Sequence, residues 1–285
     1  MKTILAKGLQ VPVLGQGSCY IGENPYKAKE EKAALLKGFE LGLKLIDTAE
    51  MYGDGQSEVF IGKTLKKISR EQFMLISKVY PHNAGRANIF NSLENSLKRL
   101  NTDYLDIYLL HWRGTVPLQE TVDCMEELVA SGKIKRWGVS NFDVLDMEDL
   151  WNMQNGKNCA VNQVLYNLTS RGIEYDLLPW AKEHDVAIMA YCPLAQAGRL
   201  NRMSAKTLND KAIYDILNKY GISIMQLMLA FTLRQNSVCA IPKASSVLHV
   251  EENAAVLNIN ISDSDWKYID SVFLPPSCKM HLDME

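Results

Sequence analysis

The stretch Phe73–Leu110, FMLISKVYPHNAGRANIFNSLENSLKRLNTDYLDIYLL, contains the unit on which the fold of this 285-residue chain depends. Its two ends, Phe73–Ile76 and Leu105–Leu110, are mostly continuous apolar runs of strand length, with Asp106 as the one charged residue. Between them, Ile89–Leu100 repeats apolar residues with the period of a helix. The predicted buried face of this helix consists of Ile89, Leu93, Leu97 and Leu100. Continuous apolar strands joined by a helix are typical of a parallel sheet covered on both faces.

The same alternation extends in both directions from this unit. Six further strands are predicted, at Gly15–Ile21, Lys44–Ile46, Trp137–Val139, Ala160–Val164, Val186–Ala190 and Val238–Ile241. Further helices are predicted at Lys29–Leu43 (buried face Ala33, Leu36, Phe39 and Leu43), Glu120–Ala130 and Asp210–Lys219. No linker or change of composition interrupts the series, so we expect one α/β domain over residues 1–285. Its periodicity fits both a closed (β/α)8 TIM barrel and an open doubly wound sheet.

Composition and charge restrict the classes of function. The chain is 47% hydrophobic and 22% charged, with a net charge of −2, so it lacks the basic field that attracts nucleic acid or an anionic membrane. An interruption at Lys7 comes too early for a signal peptide, and we expect a cytoplasmic protein. The six cysteines form no CxxC pair, and His111 is the one histidine at a predicted strand end. Neither a disulfide framework nor a metal site is therefore expected.

Polar residues follow three neighbouring predicted strands and indicate an active site. Asp47 and Tyr52 follow the second strand, Lys78 the third and His111 the fourth. In a parallel barrel the carboxyl ends of the strands form the catalytic face, so these four side chains should meet.

Together these four residues suit proton donation to a carbonyl oxygen. The phenol of Tyr52 titrates near pH 10, and we expect Lys78, oriented by Asp47, to lower its pKa. Tyr52 would then be a general acid, and His111 would polarise the carbonyl oxygen. No side chain provides a hydride, so a cofactor must.

Motifs along almost the whole chain carry a family resemblance. They are Asp47-Thr48-Ala49-Glu50-Met51-Tyr52, Ser77-Lys78, Leu110-His111, Gly138-Val139-Ser140-Asn141-Phe142, Asn162-Gln163 and Ile241-Pro242-Lys243. In order and spacing they resemble the signatures of the aldo-keto reductases. The resemblance implies a (β/α)8 barrel and NADPH-dependent reduction of small aldehydes, dicarbonyls or ketones to alcohols. The segment Tyr166–Trp180 is similar to a bacterial subgroup that includes methylglyoxal and diketo-gluconate reductases.

The same resemblance assigns roles to residues. Tyr52 would be the proton donor, supported by Asp47, Lys78 and His111. Residues implied in cofactor binding are Ser18, Asp47, Ser140, Asn141, Gln163, Tyr191, Pro193, Leu194, Lys243, Ser245, His249, Glu252 and Asn253. Residues implied in the substrate pocket are Cys19, Tyr20 and Trp112. His249 stands where many NADPH-preferring relatives have an arginine. A neutral imidazole binds phosphate less well than a guanidinium, so use of NADH is also expected.

Three other interpretations compete with this one. A reductase fold can serve as a non-catalytic cofactor-binding accessory protein, although Asp47, Tyr52, Lys78 and His111 are all present here. A metal-dependent barrel hydrolase lacks a ligand cluster in this sequence. The run Gly15-Gln16-Gly17-Ser18-Cys19-Tyr20 begins like a Rossmann fingerprint but lacks its third glycine. We expect a small carbonyl substrate, a monomer or weak oligomer, and neither nucleic-acid nor membrane partners.

Overall fold

The computed structural model describes residues 2–195 and 210–284. An antiparallel hairpin of β1 (Thr3–Ala6) and β2 (Leu9–Pro12) precedes a parallel sheet of eight strands. These are β3 (Gln16–Gly17), β4 (Leu45–Asp47), β5 (Met74–Val79), β6 (Leu105–Leu110), β7 (Ile134–Ser140), β8 (Val161–Leu165), β9 (Ala187–Tyr191) and β10 (Val238–Ala240). They lie side by side in chain order, each parallel to the next.

The first and last strands of this sheet also meet. Parallel bridges join Leu14 to Ala240 and Gly17 to Lys243. The amide of Gly15 donates to the carbonyl of Ala240 at 2.9 Å. A Cβ on Gly17 would lie 2.6 Å from the carbonyl oxygen of Ile241, so this seam requires glycine. The sheet therefore closes into a (β/α)8 barrel, and the open doubly wound alternative is wrong.

Helices surround the barrel. They are α1 (Ala28–Glu40), α2 (Gln56–Leu65), α3 (Ile89–Leu100), α4 (Leu118–Ala130), α5 (Val144–Trp151), α6 (Leu177–Glu183), α7 (Lys211–Tyr220), α8 (Ile224–Leu233), α9 (Val247–Ala255) and α10 (Asp263–Val272). Short 3₁₀ turns occupy Arg70–Gln72, Pro81–Asn83, Gly156–Asn158, Gly172–Glu174 and Val256–Asn258. The predicted bounds and buried face of α3 are confirmed. Asn101, in the left-handed conformation, ends this helix.

Two local predictions are wrong. The buried residues of α1 are Glu31, Ala34, Leu35 and Gly38, one position from the predicted Ala33, Leu36 and Phe39, because doubled Ala and Leu residues fit either choice. Leu43, predicted on the same face, is buried but lies after the helix ends. The first barrel strand spans Gln16–Gly17 rather than the predicted Gly15–Ile21, because the chain then turns through Tyr20 at a φ of 63°.

The hairpin closes one end of the barrel. Ile4, Ala6 and Val11 are buried in one cluster with interior strand residues that include Ile76 and Met189. Because this end is filled by apolar side chains, the polar residues gather at the opposite, carboxyl end. Among the described residues no single helix is long and apolar enough to cross a membrane; α7 and α8 meet that criterion only as a pair bent by 80°.

Candidate active site

Asp47, Tyr52 and Lys78 meet at the carboxyl end of β4 and β5. The ammonium of Lys78 lies 2.8 Å from Asp47 Oδ2 and 3.0 Å from the hydroxyl of Tyr52, and it also donates to the carbonyl of Thr48 at 2.8 Å. The side chain of Lys78 is fully buried. A buried ammonium is stable only with partners of this kind, so the barrel interior fixes its position.

His111 follows β6 and faces the same point. Its ring meets that of Tyr52 edge-on, with centroids 6.0 Å apart. Its Nδ1 is buried and has no hydrogen-bond partner in the described part of the chain. Burial, reinforced by the nearby charge of Lys78, lowers the pKa of His111 to about 3. His111 is therefore a neutral imidazole at physiological pH, a polar group suited to hydrogen bonding with an oxygen between it and Tyr52.

The pKa of Tyr52 differs from the sequence-based expectation. Burial raises this pKa well above its ordinary value, and the carboxylate of Asp47 raises it further. The expected net lowering is therefore wrong, because burial of the phenol is the largest cause of the shift and acts in the opposite direction. Tyr52 is thus protonated at neutral pH, the form in which it can donate. The ammonium at 3.0 Å then stabilises the phenolate that donation leaves.

The end of β7 lies next to this group. Asn141 follows the strand in the left-handed conformation, with a φ of 60°, which asparagine tolerates better than most residues. Its Nδ2 donates to the carbonyl of His111 at 3.2 Å, and its Oδ1 accepts from the hydroxyl of Tyr191 at 2.8 Å. The hydroxyl of Ser140 donates to the carbonyl of Gln163 at 2.8 Å. The structure therefore brings the predicted carboxamide-binding residues together beside the proton-donor group.

Gln163, on β8, connects the two groups directly. Its Nε2 donates to Asp47 Oδ1 at 2.8 Å and contacts the sulfur of Met189 at 3.0 Å. One carboxylate thus binds Lys78 on one oxygen and Gln163 on the other.

A second predicted subsite lies where the barrel closes. From the carboxyl end of β10 the chain passes Lys243, which bridges to Gly17, and enters α9. The hydroxyl of Ser246 caps the first turn of α9. The predicted adenosine-side residues are Lys243, Ser245, His249, Glu252 and Asn253, and all lie on this segment. An exposed lysine beside a nine-residue helix N-terminus suits a phosphate group. The donor set therefore fits a phosphorylated dinucleotide.

The remaining predicted residues lie around the same mouth, with different exposures. The hydroxyl of Ser18 is buried and accepts from Ser57 at 2.8 Å, so its role toward a cofactor stays a prediction. Pro193 is buried and Leu194 half-buried directly after β9. Tyr20 is exposed. Cys19 is half-buried, and burial raises the pKa of its thiol.

An aromatic group extends from His111 toward the surface. The ring of Trp112 lies 5.0 Å from that of His111 and, edge-on, 6.1 Å from that of Tyr80, which stacks on His82 at 4.9 Å. Trp112 therefore lies beside the proposed catalytic residues, and its role in the substrate pocket stays a prediction. Tyr80 and Glu50, whose carboxylate accepts from the amide of Tyr80, were missed. The position of Tyr80 two residues after Lys78, at a strand end, was the available signal.

The barrel and this site define a protein class that sequence comparison confirms. Residues 13–273 match the model of the aldo/keto reductase family, and the chain belongs to that family. It is an oxidoreductase. No group of three or more histidine, cysteine, aspartate or glutamate side chains within residues 2–195 and 210–284 is arranged to hold a metal.

Individual relatives are similar over nearly the whole chain. Methylglyoxal reductase YeaE of Escherichia coli (strain K12) is 50% identical over 276 residues, covering 97% of this chain and 96% of that protein. The NADH-specific methylglyoxal reductase of the same strain is 29% identical, covering 92% of this chain and 93% of that protein. A crystal structure of an aldo-keto reductase from Klebsiella pneumoniae in complex with NADPH is 50% identical and superposes with a TM-score of 0.94. The superposition covers 100% of this chain and 99% of that one.

Proposed function

We propose that this protein reduces small aldehydes and dicarbonyls of the methylglyoxal type to alcohols with NADPH. The observation that carries the proposal is the contact of Lys78 with both Asp47 and the hydroxyl of Tyr52 at the open end of the barrel. The similarity to a methylglyoxal reductase at 50% identity supports the substrate class.

Each catalytic side chain has a task in this proposal. The carbonyl oxygen of the substrate lies between Tyr52 and the neutral His111, both of which polarise it. Tyr52 transfers its phenolic proton to that oxygen as negative charge develops there, and Lys78 stabilises the resulting phenolate. Asp47 holds Lys78 in place and charged. A nicotinamide cofactor held by Ser140, Asn141 and Gln163 would supply the hydride for the carbonyl carbon.

The cofactor would lie across two groups of residues. Ser140, Asn141 and Gln163 present amide and hydroxyl groups for the nicotinamide carboxamide, and Tyr191 provides an aromatic face beside them. Lys243 and the N-terminus of α9 suit the 2′-phosphate of NADPH. His249, exposed on the first turn of α9, gives this phosphate a weaker partner than arginine would, and NADH is therefore a second cofactor in this proposal.

The proposal also covers the setting in which the protein acts. We propose that residues 1–285 form one domain that acts as a monomer or weak oligomer, because every proposed catalytic residue lies on the same barrel. The proposed location is the cytoplasm. Light scattering of the purified protein at micromolar concentration tests the oligomeric part.

The test of function is the initial rate of cofactor oxidation, followed at 340 nm, with NADPH and separately with NADH. Methylglyoxal, glyoxal, short aldehydes and keto-sugars form the substrate panel. We expect turnover of methylglyoxal with both cofactors and a lower KM for NADPH. Tight binding of NADPH without turnover of any carbonyl compound would instead favour a non-catalytic cofactor-binding protein and contradict the proposal.

A further inference from the structure

Glu50 is a buried glutamate on the loop between Asp47 and Tyr52. Only 9% of its surface is exposed, and among the described residues no cation forms an ion pair with its carboxylate. A buried carboxylate without a cation destabilises a protein unless donors satisfy it. The contacts that Glu50 makes instead therefore indicate what it does.

Those contacts lead to the end of β5 and to the segment that follows it. Glu50 Oε1 accepts from the backbone amide of Tyr80 at 2.7 Å and from Asn83 Nδ2 at 3.2 Å. The backbone amide of Glu50 donates to the carbonyl of Lys78 at 3.3 Å. Glu50 thus joins the loop that carries Tyr52 to the end of β5 through its backbone, and to Tyr80 and the 3₁₀ turn Pro81–Asn83 through its side chain.

The segment held in this way carries an aromatic wall. The ring of Tyr80 meets Trp112 edge-on, and Trp112 in turn lies against His111. Tyr80 and Trp112 are half-buried, so part of each ring is accessible, and the contact of Trp112 with His111 connects them to the proposed catalytic residues. Movement of the Tyr80 backbone would displace this wall without displacing Lys78 or Asp47, which are held inside the barrel.

We propose that Glu50 is a positioning residue that sets the aromatic wall of Tyr80 and Trp112, and thereby the affinity for carbonyl compounds with an aromatic substituent. This inference rests on the proposed function. Offset or edge-to-face packing of a substrate ring on this wall is sensitive to small displacements, whereas a methyl substituent makes little contact with it. Glu50 therefore influences KM for aryl substrates, whereas Tyr52, Lys78 and His111 carry out the proton transfer.

The test compares KM and kcat for phenylglyoxal and methylglyoxal in wild type, Glu50→Ala and Glu50→Gln, with saturating NADPH. In Glu50→Ala we expect KM for phenylglyoxal to rise about tenfold, which corresponds to about 1.4 kcal/mol. We expect KM for methylglyoxal and kcat for both substrates to change less than about threefold, since the groups that transfer the proton stay in place. Glu50→Gln keeps the accepting Oε1 and should restore KM to within about twofold of wild type, on the same reasoning.

A matched control distinguishes positioning from general destabilisation. Glu126 on α4 also accepts two side-chain hydrogen bonds, from Trp137 Nε1 at 2.6 Å and Asn158 Nδ2 at 3.1 Å, away from the mouth. Glu126→Ala should lower the unfolding temperature without altering the phenylglyoxal-to-methylglyoxal KM ratio. Amide hydrogen exchange gives a readout independent of turnover, and Glu50→Ala should accelerate exchange at Tyr80 selectively.

The possible results separate the two proposals. Absence of turnover in the wild-type protein overturns the proposed function itself. Turnover in wild type with an unchanged KM ratio in Glu50→Ala, or equal losses in Glu50→Ala and Glu126→Ala, overturns the role of Glu50.

Discussion

Gln163 donates a hydrogen bond to Asp47 at 2.8 Å, although 116 residues separate them along the chain. Through this bond the residues proposed to bind the nicotinamide and those proposed to deliver the proton share one carboxylate. Binding of the nicotinamide at Gln163 is therefore expected to affect the orientation of Lys78, which the same carboxylate holds.

Replacement of Gln163 by glutamate tests this shared carboxylate. Two carboxylates at hydrogen-bond distance cannot both ionise without strong repulsion, so the pKa of one of them rises. We expect kcat/KM for methylglyoxal to fall about 100-fold at pH 8, because the added charge competes for Lys78. It should recover as pH falls toward 5, where the protonated carboxyl can donate to Asp47 as the amide did. The measurement is the pH profile of kcat/KM.

Gln163→Leu is the matched control for this variant. It removes the hydrogen bond and cofactor contacts without adding charge, and should lose activity equally at pH 5 and pH 8. Parallel pH profiles for the glutamate and leucine variants would contradict the shared role of Asp47.

The histidine beside the phenol makes a prediction about stability. The pKa of His111 is about 3 in the folded protein, below the ordinary value of 6.5, chiefly because of burial. Below pH 6.5 the unfolded chain therefore binds a proton that the folded protein does not, and stability decreases as pH falls toward 3. The loss is about 1.4 kcal/mol per pH unit for one proton.

Urea denaturation of wild type and His111→Gln between pH 8 and pH 4 measures this effect. The free energy of unfolding of His111→Gln should fall less steeply than that of wild type below pH 6.5, with parallel curves above it. Equal slopes in both proteins over the whole range would show that His111 is protonated normally in the folded state. Carbonyl reduction by the wild type should show no inflection near pH 6.5.

A buried arginine joins the loop after β8 to the C-terminal helix. Arg171 binds both oxygens of Glu174, at 3.0 and 2.7 Å, and Asp270 Oδ1 at 2.8 Å, and it also donates to the carbonyl of Phe273. Arg171→Met leaves the half-buried Glu174 without its cation and should destabilise the protein by about 3 kcal/mol. Chemical denaturation measures the loss. Arg86→Met, which breaks an exposed pair with Glu127, should leave the denaturation midpoint nearly unchanged.

The sequence predicted the four catalytic candidates because each is tied to a regular strand. Asp47, Lys78 and His111 lie at or next to strand ends whose apolar runs are unambiguous, and a parallel barrel brings such ends together. The closure of the sheet was not visible in periodicity, since it depends on a seam of two bridges between Leu14 and Ala240 and between Gly17 and Lys243. The family resemblance supplied that information.

Features that depend on loop conformation, or on the combined effect of burial and several charges, could not be predicted from the sequence. The hairpin β1–β2 is too short to show a convincing alternation of apolar residues. The contact of Glu50 with Tyr80 depends on the path of the chain after β5. The direction of the Tyr52 pKa shift depends first on burial and then on the nearby carboxylate of Asp47, which only the three-dimensional structure reveals.

Replacement of Tyr52 by phenylalanine tests the central claim most directly, because it removes the proposed proton donor and leaves the ring. The measurement pairs kcat/KM for methylglyoxal with the Kd for NADPH, determined by quenching of protein fluorescence. We expect kcat/KM to fall by about 10² to 10⁴ while Kd changes less than about threefold, as loss of a positioned general acid requires. If the variant retains more than about a tenth of wild-type kcat/KM, the loss is smaller than a positioned general acid contributes, and Tyr52 does not deliver the proton.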